Sequence, residues 1–235
     1  VVGDVCETRF GEFFFGTDQI GRDMLSMLIY GARNMIALAL LTTGCAFGLG
    51  SLLGFLAATM GGWVDQVLSR FVDVVISIPT LIFALIVLSS TGTSIFALVT
   101  VIAIIYAMPV YRIARAVAMD IEVMDYVEAA RLRGEGLWWI MRKEILPNAL
   151  TPLAAEFGLR FCFVFLLISG LSFLGLGLQP PLADWGAMVR DNGGGIAWGF
   201  MHPLVPATCI ALLTIGINLI VDSVVQKASG LREDH

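Results

Sequence analysis

The sequence predicts an all-α protein, a polytopic bundle of transmembrane helices. Hydrophobic residues make up 58% of its 235 residues and charged residues 14%, against about 25% charged in ordinary soluble domains. Mean hydropathy is +0.88. The apolar residues also gather into five windows, each near the roughly 20 residues that a helix rising about 1.5 Å per residue needs to cross a bilayer core. The net charge of −5 says little about orientation, which follows where Lys and Arg lie. With 14 basic residues against 19 acidic ones, no clear basic face remains for nucleic acid.

Taken in order, residues 1–34 are an outer segment and residues 35–235 the membrane domain. The windows are 35–60, 71–90, 95–118, 153–178 and 204–226. All are rich in small residues, which let helix backbones approach closely where lipid supplies no hydrophobic drive. In the first, Gly44, Gly48, Gly50 and Gly54 form a stripe at helical spacing. It reads as close packing within the bundle, with pore lining as the rival. Pro79 and Pro109 fall inside the second and third windows and read as static bends or hinges. Arg112 and Arg115 bring the third to an early end where they mark the interface.

Between the third and fourth windows lies a polar stretch, residues 120–148. Asp120, Glu122, Asp125 and Glu128 precede Arg131 and Arg133, an order that complements a helix macrodipole. Gly134 and Gly136 interrupt. A second amphipathic run follows with Leu137, Trp138, Met141 and Ile145. Two short helices joined at glycine are expected, with Ala129 and Ala130 beside Gly134 leaving room for another protein's surface. An amphipathic connector lying at the membrane interface is the plainer alternative.

Alternating sides from this stretch, taken as cytoplasmic, puts nine basic residues inside: Arg70, Arg112, Arg115, Arg131, Arg133, Arg142, Lys143, Lys227 and Arg232. Four lie outside (Arg9, Arg22, Arg33 and Arg190), with Arg160 within a span. That imbalance follows the positive-inside rule. The outer position of residues 1–34 then implies an upstream helix, so six spans are expected in the full protein. Within the fourth window, Glu156 and Arg160 stand four apart with the acid first, the favourable order for an intrahelical pair. Two readings stand: a structural pair, at a contact with a partner chain, or a lining of a path through the bundle. Asp73 and Asp222 read as interfacial. Cys6, Cys45, Cys162 and Cys209 are far apart and read as small hydrophobes rather than a disulfide or metal set.

In the outer loops, Asp18 and Asp23 flank Gly21 and read as turn formers. Pro180-Pro181, Asp184-Trp185 and the glycines 193–195 suggest a structured surface for another protein, with Trp185 alternatively an interfacial anchor.

Three motifs, met in order, resemble one family. Glu128-Ala129-Ala130 followed by Gly134, with Ile145-Leu146-Pro147-Asn148, is similar to the EAA loop of ABC-importer permeases. Glu144 occupies that pattern's usual isoleucine place. Residues 16–23, GTDQIGRD, look like the signature preceding the second helix of the dipeptide/oligopeptide/nickel permeases, and residues 171–186 resemble their segment after the fifth helix. The resemblance covers essentially the whole chain and is to the C-type subunit of the pair; only the shortened tail, 229–235, departs from it. It implies a type I importer fold in a bacterial or archaeal inner membrane. It also implies a second permease as heterodimer partner, two ATPase subunits, an outer substrate-binding protein and surrounding membrane lipid. Coupling would run through Glu128, Ala129, Ala130, Arg131 and Gly134.

The chain itself has no nucleotide signature. A P-loop needs Gly-x-x-x-x-Gly-Lys-Ser/Thr, and the only lysines, Lys143 and Lys227, are not preceded by glycine. No cofactor is expected here, and ATP with Mg would sit on the partners. A stand-alone secondary transporter is the rival function, although such proteins carry charges and broken helices at the midplane. An intramembrane hydrolase has less support, since His202 and His235 are the only histidines and no Gly-x-Ser-x-Gly elbow is present. Peptides are the modal cargo of the resembled family, beside nickel complexes, opines, glutathione and sugars.

Overall fold

Asp23 starts the first helix. Its carboxylate accepts from the Leu25 and Ser26 amides at 3.2 and 3.1 Å, satisfying two of the donors that a helix start leaves unpaired. Helix α1 then runs Met24–Met60, well upstream of the first apolar window. At 37 residues it is about 56 Å long, so it projects beyond a hydrocarbon core of about 30 Å. The structure, a computed structural model, describes residues 15–18 and 21–230, but not the side chains of Trp198 and of residues 224–230. Nearly half of the expected outer segment therefore lies outside the described residues, including Cys6, Arg9, Gln19 and Ile20, as do Arg232, His235 and the Lys227 side chain.

The second span is broken. Helix α2, Gly62–Ile76, and helix α3, Thr80–Thr91, meet at 86°. Pro79 has no N–H to continue a helix and biases Ile78 towards extended backbone. The Ser77 hydroxyl donates to the Val74 carbonyl at 2.7 Å, a further competitor to the helical ladder. Pro109 has no such effect. It sits within helix α4, Ile95–Glu122, where Met108, Val110 and Tyr111 are buried and hold the helix through the missing bond.

Helix α4 does not end at its arginines. Arg112 pairs with Asp73, and Arg115 grips Asp65, with Nη2 2.5 Å from Oδ2. Both pairs fasten α2 to α4, so these cations mark a helix contact, and the helix itself runs on past them. Against α1, Gly50 and Gly54 do the packing. A Cβ on Gly50 would lie 2.6 Å from the Ala107 carbonyl oxygen, and one on Gly54 2.8 Å from the Tyr111 carbonyl oxygen. The register rises together on both helices, so α1 and α4 run in parallel. Gly44 and Gly48 face open space, which splits the predicted stripe. Cys45, on that same open face, is exposed rather than buried, while Cys162 is buried.

The predicted pair of short helices is half right. Helix α5, Asp125–Leu132, is separate. Helix α6, Leu137–Ile140, instead passes through a π turn, Met141–Ile145, into helix α7, Leu146–Phe173. The wide turn sits immediately before Pro147, where the ladder is one donor short, and the Leu146 amide reaches Met141 to bridge it. Helix α7 stops at Phe173, earlier than the window suggested. Gly175 takes a φ of +88°, the Leu176 amide donates to Leu171 and the Gly175 amide to Ser172, the paired bonds of a glycine stop. Helix α8, Trp185–Asn192, a 3₁₀ turn, Gly193–Trp198, and helix α9, Leu204–Gly230, complete the chain.

Among the described residues, four helices are long and apolar enough to span a membrane, and the bent α2–α3 pair makes a fifth. Among the described residues the core comes in three parts. One joins Met24, Met35, Ile102, Phe165 and Trp185. A second joins Phe55, Ala118, Val127, Ala130, Met141 and Ile145 at the opposite end. A smaller third joins Ala57, Val72, Met108 and Tyr111 where α1, α2 and α4 meet.

Candidate functional site

The polar stretch after α4 is built so that α5 has an anchored face and a displayed one. Val127 and Ala130 are fully buried in the second core. Glu128 and Ala129 are exposed, and Leu132 is 84% exposed. Arg131 reaches back to Glu122 at the end of α4. The Glu-Ala-Ala run is therefore divided. Ala129 faces outward with Glu128, whereas Ala130, read from sequence as leaving room for a partner, holds the helix to the protein. Helical spacing decides this: residues 127 and 130 share a face that 128 and 129 do not.

Gly134 has a role inside this chain as well. A Cβ there would meet none of the chain's own atoms within 4 Å. Its φ is +83°. The Glu135 amide donates to Ala130 and the Gly134 amide to Arg131, the same stop that ends α7. Glycine is needed to reverse the chain out of α5. Around it stands an unusual amount of bare hydrocarbon, with Val123 at 81% exposure and Trp138 at 64%. The second amphipathic run divides as well: Met141 and Ile145 are buried, but Leu137 and Trp138 are not.

Glu156 and Arg160 meet on α7. Arg160 Nε donates to Glu156 Oε1 at 2.5 Å, with the side chains 22% and 18% exposed respectively. The guanidinium also lies 6.0 Å from the centre of the Phe163 ring. Asp222 is exposed and Asp73 is held by Arg112.

In the outer segment, Asp184 and Trp185 prove to be internal. Asp184 is 1% exposed and Trp185 6%, which removes both as direct contacts for another protein. The Asp184 carboxylate caps α8, accepting from the Gly186 and Ala187 amides at 2.7 and 3.2 Å and from the Ser172 hydroxyl at 2.5 Å. Burial pushes its carboxyl above the ordinary range, opposed chiefly by the Ser172 hydrogen bond. Trp185 donates through Nε1 to the Leu28 carbonyl at 2.9 Å and sets its ring edge-on to Phe165. Its indole fits because Gly31 offers no side chain: a Cβ there would lie 2.8 Å from Cδ1. An aspartate directly before a helical stretch is a readable cap signal; no sequence pattern announces the Trp185–Gly31 fit. Nearby, the Arg22 amide donates to Asp18 at 2.8 Å. The Ser26 hydroxyl, aided by backbone amides, holds the Asp23 carboxyl below its ordinary range.

Among the described residues this geometry gathers no cluster of metal-ligating side chains. It offers a rigid helix with a displayed face, on a bundle of spanning helices. Residues 50–228 match the family described as binding-protein-dependent transport system inner membrane component. The chain is 34% identical over 212 residues to the probable D,D-dipeptide transport system permease protein DdpC of Escherichia coli, covering 90% of this chain and 71% of that protein. It is 35% identical over 211 residues to the di/tripeptide transport system permease protein DppC of Pseudomonas aeruginosa, covering 89% and 69%. The glutathione transport system permease protein GsiD of Pectobacterium atrosepticum is 30% identical over 210 residues, covering 89% and 69%. In fold, the chain is similar to a subunit of the inward-facing MetNI methionine ABC transporter, with a TM-score of 0.69 at 19% identity over 87% of this chain and 97% of that one. An amino acid ABC transporter crystallised with histidines gives 0.59 at 22% identity, over 86% and 94%. The chain belongs to the binding-protein-dependent transport system inner membrane component family, and is a multi-pass inner-membrane permease of the ABC-importer type.

Proposed function

We propose that this permease forms half of a translocation pathway for peptides or a related small solute, and that ATPase subunits drive it through α5. The observation that carries the reading is the division of α5. Val127 and Ala130 fix it to the bundle while Glu128, Ala129 and Leu132 stand out. A push on the displayed face would reach α4 and α7 through the buried one, because packed interiors transmit displacement rather than absorb it. Arg131 stiffens the junction with α4 through Glu122, and Gly134 sets the exit angle.

The stretch 120–148 is cytoplasmic in this reading. Two ATPase subunits dock there, hydrolysing ATP with Mg, and alternate access between the two faces of the membrane. A second permease completes the pathway, and an outer binding protein delivers the solute. Asp184 and Trp185 serve that delivery indirectly, by holding the outer segment in shape. The Glu156–Arg160 pair, mutually satisfied and mostly buried, suits a strut in the wall between the two permeases or beside the pathway.

Gentle extraction of a tagged copy from its native membrane, followed by mass spectrometry, tests the assembly. Recovery of a second permease and two ATPases is expected. A lone homo-oligomer, under conditions that keep known complexes whole, would overturn the proposal in favour of a secondary transporter.

A further inference from the structure

Between α1 and the α6–α7 helix runs a groove of about 640 Å³ that belongs to none of the contacts described above. Gly48, Ser51 and Leu52 form one wall and Leu146, Leu150 and Ala154 the other. Phe47 and Phe157, their ring centres 5.0 Å apart, close its inner end. At the other end stand Trp138 and Arg142. Both are exposed, and among the described residues the Arg142 guanidinium pairs with no carboxylate.

The dimensions are those of one leaflet. Phe47 to Phe55 on α1 rises about 12 Å and Leu146 to Phe157 on α7 about 16 Å, against about 15 Å for half a hydrocarbon core. The polar end adds the rest of the description, since an indole and an uncompensated guanidinium at headgroup level favour a lipid phosphate with net negative charge.

We propose that the groove seats an acyl chain of an anionic phospholipid of the cytoplasmic leaflet, its phosphate on Arg142 and its glycerol region beside Trp138. The choice of leaflet rests on the sidedness proposed above; the site itself does not. Its test is lipid retention by the intact complex, purified with the subunits that accompany it from bilayers of equal phosphatidylglycerol and phosphatidylethanolamine. After detergent washing, native mass spectrometry counts the lipids that stay.

Wild type should favour phosphatidylglycerol about fivefold, the effect of one basic residue at an anionic surface. Arg142→Gln should erase that preference, and Gly48→Leu should expel lipids of both kinds. A Cβ at Gly48 meets nothing within 4 Å, so the second variant fills the groove without disturbing the fold. Equal retention of the two lipids by wild type would overturn the proposal. So would undiminished phosphatidylglycerol in Gly48→Leu, or a photoreactive group at Ser51 that captures another subunit in place of lipid. Solute-stimulated ATP hydrolysis, read on the same preparations, keeps a failed lipid site distinct from a failed importer reading.

Discussion

The outer segment around Asp184 and the cytoplasmic stretch around Glu128 are both polar, helical and short, and they treat their side chains in opposite ways. The outer one turns its chemistry inward: the carboxylate and indole spend every hydrogen bond within the chain. The cytoplasmic one anchors itself with Val127 and Ala130 and leaves Leu132 and Val123 bare. Exposed apolar groups clustered on a polar segment mark a surface that another body covers. A segment that satisfies itself needs no partner to be ordered, while one that displays hydrocarbon does.

The sharpest way to break this contrast is Trp185→Ala. It removes the indole that joins α8 to α1 and α7, and a loss of about 3–5 kcal/mol is expected. A thermal scan of the purified protein in detergent should find a strongly lowered Tm; an unchanged Tm would mean that the outer segment is not held from within. Asp184→Ala comes next, at about 2–3 kcal/mol, from the lost cap and the orphaned Ser172 hydroxyl. The pH dependence carries the sign. A carboxyl raised by burial stabilises the fold most below its unfolded value of 3.8, and that advantage falls away as pH rises through the raised folded value. Wild type should therefore gain on Asp184→Asn as pH is lowered from neutral towards 4. A constant gap in Tm across that range would contradict the buried carboxyl.

These differences also explain what the sequence could express. Composition and window length were enough for an all-α bundle, since backbone groups in lipid must pair within helices. The motif spacing located α5. Pro79 and Pro109 looked alike in sequence, yet only Pro79 breaks its span. Pro109 is carried by buried neighbours, a tertiary fact with no local signature. The same holds for Ala129 and Ala130, where only the packing of Val127 tells which alanine faces the bundle. Asp184 was legible as a helix cap but not as buried, because its burial depends on Ser172 and on the glycine stop at Gly175 bringing the chain back over α7.

On the cytoplasmic side the expected losses in stability are smaller and the functional ones larger. Ala130→Leu forces extra methylenes into the second core, at about 1–3 kcal/mol. Ala129→Leu points outward and should leave Tm unchanged while lowering ATP-driven uptake in reconstituted vesicles. If the two variants lose the same stability, the division of α5 is wrong. Gly134→Ala places a Cβ in left-handed backbone at about 1–2 kcal/mol; its uptake should fall at ordinary membrane levels of protein.

The smallest effect on stability, and the most telling, belongs to Leu132→Ser. At 84% exposure this side chain contributes almost nothing to the isolated fold, and a surface change of this kind stays within about 0.5 kcal/mol. Its hydrocarbon matters only if something covers it. Uptake and co-purification of the ATPase subunits should both fall, while the Tm of the chain alone stays where it was. Full uptake with a full complement of ATPases would show that Leu132 is merely exposed. The displayed face of α5 would then narrow to Glu128 and Ala129, and the contrast with the outer segment would rest on those two residues.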